Sequence, residues 1–162
     1  MKADIFKSEC MAIVNPVNCF GVMGAGLALK VKNKYPEVFK KYFESCNNPD
    51  ETKRLKIGTC LTVMANDGKM IINFPTKYHY KNESKLEYIE KGLEALKRHI
   101  DYYNITSIAV PALGAGLGGL KWNEVKPLIE NALKSCKNLK KIEIYDPIQR
   151  INKTRNDYSI EK

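Results

Sequence analysis

The sequence predicts one α/β domain built on a mixed sheet, and three observations carry that reading. Short apolar runs alternate with longer amphipathic segments, the pattern of strands followed by helices. Two glycine-rich loops each follow a strand-like run and precede a helix-like one. One pair of apolar runs is joined by a short turn segment, which adds an antiparallel neighbour to a sheet otherwise built by crossovers.

The N-terminus, Met1-Lys2-Ala3-Asp4, enters a strand-like run at once, without the charged, apolar and small-residue succession of a signal peptide. Met11 to Asn15 is a strand candidate. A helix from about Ala25 to Lys34 should end before Pro36, because a proline disfavours helical backbone in the residue before it. Pro36 to Ser45 fits a second short helix. Gly58 to Ala65 and Lys69 to Phe74 flank Asn66-Asp67-Gly68 and form the expected hairpin. Ser84-Lys85-Leu86-Glu87 matches the S-x-x-E capping box, with Leu86, Ile89, Leu93, Leu96 and Ile100 following at helical spacing. Ser107 to Pro111 reads as a buried strand, Trp122 to Leu133 as a helix and Lys141 to Tyr145 as a last strand closed by Asp146-Pro147. Residues 1–147 are thus the expected domain. Residues 148–162 carry Arg150, Lys153 and Arg155 without periodicity, as a polar basic tail or linker remnant would.

With 162 residues of which 44% are apolar, one core is affordable and two would be strained. The longest apolar stretches, Ser107 to Leu113 and Met70 to Pro75, fall far short of the ~20 residues that span a bilayer. No membrane partner and a cytoplasmic location are expected. Cys10, Cys19, Cys46, Cys60 and Cys136 are odd in number and contain no C-x-x-C pair, so they read as reduced structural thiols, with no metal site. The 27 Lys plus Arg against 18 Asp plus Glu leave a formal charge of +9, which draws a protein toward polyanions. A lysine-rich surface that merely solvates the fold accounts for the same charge.

Seven of the ten glycines fall in two loops: Gly21, Gly24 and Gly26, then Gly114, Gly116, Gly118 and Gly119. Glycine there brings bare backbone N–H groups up to a helix N-terminus, where the dipole and unpaired donors favour phosphate. The same glycines also suit tight strand-to-helix turns. The second loop matches G-x-G-x-x-G, yet it lies in the last strand-helix unit, and Asp146 stands well beyond the ~20-residue spacing of a dinucleotide fold. In the first loop Leu27 follows Gly26 where a P-loop needs lysine, so ATP or GTP hydrolysis is not indicated.

Ile13-Val14-Asn15-Pro16-Val17-Asn18, Gly24-Ala25-Gly26 and Pro111-Ala112-Leu113-Gly114-Ala115-Gly116 together resemble the macrodomain signature, over residues 1 to about 147. Val22-Met23-Gly24-Ala25-Gly26-Leu27-Ala28, Phe74-Pro75-Thr76-Lys77 and Gly116-Leu117-Gly118-Gly119-Leu120-Lys121-Trp122 are similar to the branch of DarG antitoxins and terminal ADP-ribose glycohydrolases. The resemblance implies a three-layer α/β/α fold around a mixed sheet, with ADP-ribose in a cleft across the strand ends and no cofactor.

By that resemblance Asp4 accepts from the adenine amino group with Ile5 beside it, although an early Asp also serves as a simple cap. The loop from Phe20 through Gly21, Val22, Met23, Gly24, Ala25 and Gly26 wraps the distal ribose. Leu113, Gly114, Ala115, Gly116, Leu117 and Gly118 hold the diphosphate, Thr76 lines the site, and Asn18 touches the distal ribose hydroxyls. An Asn in a loop is alternatively a turn former. Lys77 falls at the catalytic lysine position of the branch, and Asn18 joins it in the catalytic assignment by positioning the ribose. As a base or a nucleophile its amine must be uncharged part of the time, which burial or nearby cations favour. Otherwise it is one solvated lysine among many. Branch members acting on protein pair this lysine with an acidic residue where this chain has Gly118, which favours ADP-ribosylated DNA as substrate.

Tyr78, His79 and Tyr80 follow Lys77 directly and suit either stacking on an unpaired base or packing. The leading expectation is a metal-independent enzyme that removes thymidine-linked ADP-ribose from single-stranded DNA. The resemblance further implies an antitoxin with a companion ADP-ribosyltransferase toxin, acting as a monomer. The alternatives are a non-catalytic ADP-ribose module and a hydrolase of ADP-ribose 1-phosphate or O-acetyl-ADP-ribose.

Overall fold

The computed structural model describes residues 4–147, so the tail expected for residues 148–162 lies outside the described residues. The elements are β1 (Ala12–Val17), α1 (Gly26–Lys34), α2 (Pro36–Cys46), β2 (Leu61–Met64), β3 (Met70–Pro75), α3 (Leu86–Tyr102), β4 (Ser107–Val110), α4 (Trp122–Lys134) and β5 (Lys141–Ile144), with 3-10 turns at Ile5–Lys7 and Glu51–Lys53. The five strands form one sheet in the order β2-β3-β1-β4-β5. β1 pairs in parallel with β3 and β4, β4 in parallel with β5, and β2 antiparallel to β3, which makes the sheet mixed.

Strand periodicity sorts the core into two layers. Ile13 and Val17 of β1, Ile71 of β3 and Ala109 of β4 meet Val31, Tyr35, Val38 and Tyr42 of α1 and α2. The alternate residues Val14, Ile72, Phe74, Ile108 and Val110 meet Ile89, Leu93, Leu96 and Ile100 of α3 and Val125, Ile129 and Leu133 of α4. The result is the expected α/β/α sandwich. Each buried Val, Leu, Ile or Phe among them stabilises the fold by roughly 1.5–3 kcal/mol on burial. Gly92 lets α3 close onto β3, since a Cβ there would run into the Phe74 ring.

Local differences from the sequence reading have identifiable causes. Ile5–Lys7 is a 3-10 turn rather than a strand, capped by Asp4, whose carboxylate accepts from Phe6 N–H at 2.9 Å. Gly58 adopts φ +85 in a turn closed by Thr59 N–H on Lys56 C=O, so β2 begins at Leu61. β1 continues through Pro16 to Val17. Val17 C=O accepts from Thr76 on the β3 side, which turns the Pro16 nitrogen toward β4, where paired residues end at Ile13. The capping box does not form: α3 is capped at Lys85 with no side-chain bond, and Ser84 is buried against the second glycine loop. Tertiary packing there outweighs the local capping preference. Among the described residues, no helix is long and apolar enough to cross a membrane.

Candidate active site

β3, β1 and β4 are neighbours, and their carboxyl ends carry three segments: residues 76–85, 18–25 and 111–121. A crevice outside the carboxyl ends of such strands is where open α/β sheets place ligands. Hydrogen bonds tie the three segments together. Thr76 N–H donates to Val17 C=O and Cys19 N–H to Tyr78 C=O, both at 2.9 Å, with the Cys19 thiol 3.7 Å from Lys77 C=O. At its far end the same segment donates Ser84 N–H to Gly118 C=O at 2.9 Å. The stretch carrying Lys77 therefore bridges the two glycine loops, with Lys77 half-buried. The two loops also approach each other directly: Leu117 comes within 3.4 Å of the point where a Cβ on Gly26 would stand.

Asn18 organises the first loop. Its Nδ2 donates to Val22 C=O at 2.6 Å, and its Oδ1 accepts from Phe20 N–H at 2.9 Å and Val22 N–H at 3.4 Å. The fully buried Tyr42 hydroxyl lies 2.8 Å from both Asn18 Oδ1 and Asn18 C=O. The turn-forming role open in the sequence is present, and an amide hydrogen remains for a ligand. Burial pushes the Tyr42 phenol far above its ordinary range, so it stays a donor. Burial, reinforced by Cys46, pushes the Cys19 thiol up to about 12, and burial pushes Cys60 up to about 12 and Cys46 to about 11. These thiols are poor nucleophiles.

Gly21 has φ +82, and a Cβ there would lie 3.0 Å from Asn47 Nδ2. Val22, Gly24, Ala25 and Gly26 are exposed, whereas Met23 plugs the core. α1 starts at Gly26 with no side-chain cap bond to its first N–H groups. In the second loop Leu113 and Gly114 are buried, Ala115 half-buried, and Gly116 and Leu117 exposed. Gly114 turns the chain at φ +71. A Cβ on Gly118 would sit 2.5 Å from Gly114 C=O and collide with Ser84 Oγ. Gly116 is different: its φ is not positive, and a Cβ there would meet nothing within 4 Å. The fold itself does not require glycine at 116, which borders open space.

Thr76 is buried at the root of the Lys77 segment. Ile5 packs in the same cluster as Val17 and Met23, behind the first loop, and leaves Asp4 exposed at the chain's described start. Tyr42 and Ser84 are contributions that sequence reasoning missed. Tyr42 carried only a helix-face signal, and Ser84 a capping signal that pointed elsewhere. Among the described residues, no group of three or more His, Cys, Asp or Glu is placed to hold a metal ion.

A family model described as Macro domain matches residues 14–129. The DNA ADP-ribosyl glycohydrolase of Mycobacterium tuberculosis is 44% identical over 147 residues, covering 89% of this chain and 40% of that protein. The solved macrodomain of Mycobacterium tuberculosis DarG superposes with a TM-score of 0.83 at 40% identity, covering 90% of this chain and 94% of that one. Thermosipho africanus DarTG in complex with ADP-ribose superposes with a TM-score of 0.78 at 36% identity, covering 92% of this chain and 41% of that one. This chain thus spans about two-fifths of the curated relative's length.

Proposed function

The chain belongs to the macrodomain family, and on that premise we propose that it is a DNA ADP-ribosyl glycohydrolase, removing ADP-ribose from thymidine in single-stranded DNA. The observation that carries the reading is the bridge from Cys19 to Gly118, which holds Lys77 between two glycine loops suited to a ribose and a diphosphate. Likeness to a glycohydrolase and to a structure holding ADP-ribose supports the ligand class.

In the proposed step the bond between the anomeric carbon of the distal ribose and the base nitrogen breaks, and its electron pair stays on the nitrogen. Water supplies the oxygen that bonds to the anomeric carbon, and its proton ends on the base. Lys77 is assigned to this step, as the base that takes the water proton or as a nucleophile preceding water. Backbone N–H groups from Gly114 to Gly118 and the uncapped start of α1 take the diphosphate. Leu113 and Thr76 line the floor, the Gly21 to Gly26 loop and Asn18 take the distal ribose, and Asp4 with Ile5 takes the adenine. The crowding at Gly118 supports DNA over a protein carboxylate as acceptor, since no acidic side chain fits there beside Ser84. A companion ADP-ribosyltransferase and cytoplasmic action as a monomer complete the proposal.

The test is release of free ADP-ribose from single-stranded DNA bearing ADP-ribosylated thymidine, run in EDTA beside ADP-ribosylated glutamate on a peptide. Release from DNA alone supports the proposal. Tight ADP-ribose binding with no release from either would make the domain a binding module, and release only from the peptide would reverse the acceptor assignment.

A further inference from the structure

Four rings from two different segments meet at the lip of the cleft. Phe20, from the first glycine loop, contacts Tyr78 at 5.1 Å and 89° between planes, and His79 at 4.5 Å and 69°. His79 in turn stacks on Tyr80 at 4.1 Å and 26°. These rings do not serve the core: Phe20 is 43%, Tyr78 58% and Tyr80 44% exposed. Their backbone is nonetheless fixed, by Cys19 N–H on Tyr78 C=O, Asn82 N–H on His79 C=O and Lys81 N–H on His79 Nδ1. The contacts of Phe20 are edge-on, while His79 and Tyr80 share one stacked face, so exposed ring area remains on Phe20, Tyr78 and Tyr80.

The surroundings are cationic. Lys77, Lys81 and Lys85 stand against Glu83 in this segment of a chain whose formal charge is +9, and Lys81 Nζ lies 6.0 Å from the Tyr80 centroid. Pre-ordered rings flanked by lysines match the chemistry of an unpaired strand, whose bases stack and whose phosphates attract cations.

We propose that Phe20, Tyr78, His79 and Tyr80 form a stacking platform for unpaired bases of single-stranded nucleic acid, beside the nucleotide whose ADP-ribose enters the cleft. This rests on the reading of nucleic acid as the substrate. The platform lets the enzyme grip the strand rather than the ADP-ribose alone.

The experiment measures binding of an unmodified, fluorescently labelled oligothymidylate by anisotropy, comparing wild type, Tyr78→Ala/Tyr80→Ala, Tyr80→Ala, Tyr80→Trp and Tyr102→Ala. Tyr102 is an 80% exposed tyrosine at the far end of α3, about 24 Å along that helix from the platform end, and serves as the control. Calorimetric binding of free ADP-ribose checks that each variant is folded. The double variant is expected to lose about ten- to a hundredfold in oligonucleotide affinity with ADP-ribose affinity unchanged. Tyr80→Trp should retain binding, and Tyr102→Ala should match wild type. Should the double variant fail to bind ADP-ribose, the Tyr80→Ala and Tyr80→Trp pair decides. No oligonucleotide binding by wild type, equal affinity in the alanine variants, or an equal loss in Tyr102→Ala would overturn the proposal and assign the rings to a protein surface or to packing. Because the probe is unmodified, wild-type binding to it, together with no ADP-ribose release from the separate ADP-ribosylated strand, would end the glycohydrolase reading and leave the platform standing.

Discussion

Ser84 donates its peptide N–H to the Gly118 carbonyl at 2.9 Å, and its Oγ occupies the space where a Gly118 side chain would begin. One residue thus joins the Lys77 segment to the second glycine loop and keeps that loop free of side chains at position 118.

Gly118→Ala should therefore distort the loop, because the new Cβ meets Gly114 C=O at 2.5 Å as well as Ser84. We expect at least a tenfold loss of ADP-ribose affinity together with a lower melting temperature. Adding Ser84→Gly should recover only part of it, since the carbonyl clash remains. Wild-type affinity in Gly118→Ala would show that the loop relaxes freely.

Gly116→Val should separate binding from stability. A Cβ at 116 meets nothing within 4 Å and the backbone there is not left-handed. Stability should stay within about 0.5 kcal/mol, as for ordinary surface changes, while ADP-ribose affinity falls more than tenfold in calorimetry. Unchanged affinity would mean that the open space at Gly116 does not face the ligand.

Tyr42→Phe removes the buried hydroxyl that holds Asn18. The cost should be about 1–3 kcal/mol, the range for stranding a buried polar partner, read from urea denaturation, with weaker ADP-ribose binding as the first loop loosens. Equal urea midpoints would argue that Asn18 shapes the loop without this bond.

The thiols supply a pH signature. Burial raises Cys19 and Cys60 to about 12 and Cys46 to about 11, above the ordinary thiol range. A group held protonated by folding contributes stability that is complete below the unfolded value and is lost as pH rises toward the folded value. Thiolate absorbance should accordingly be missing for these three near pH 9 in the native protein and appear there on denaturation. A native thiolate step near pH 9 from any of them would contradict the burial described.

The layers were legible because apolar spacing records which face each residue turns to the sheet: Ile13 and Val14 point to opposite helices, as do Ile71 and Ile72. The glycine loops were legible because strand, glycines and helix follow one another along the chain. What local sequence does not encode is contact at a distance. Ser84 carries a capping motif that a loop more than 30 residues later overrides. Nothing in the helical pattern of α2 announces that Tyr42 reaches back to Asn18. Gly116 and Gly118 look alike in sequence, yet one borders open space and the other a carbonyl. Phe20 joins the aromatic lip only because the carboxyl ends of β1 and β3 lie side by side.

The most direct test of the account compares wild type with Lys77→Ala on single-stranded DNA carrying ADP-ribosylated thymidine, with ADP-ribose affinity measured in parallel. We predict that the variant binds ADP-ribose within a few-fold of wild type and releases at least a hundredfold less from DNA, in line with the 10²–10⁴ typical of a positioned acid or base. Release at the wild-type rate by Lys77→Ala would contradict the role given to the bridge between the two glycine loops.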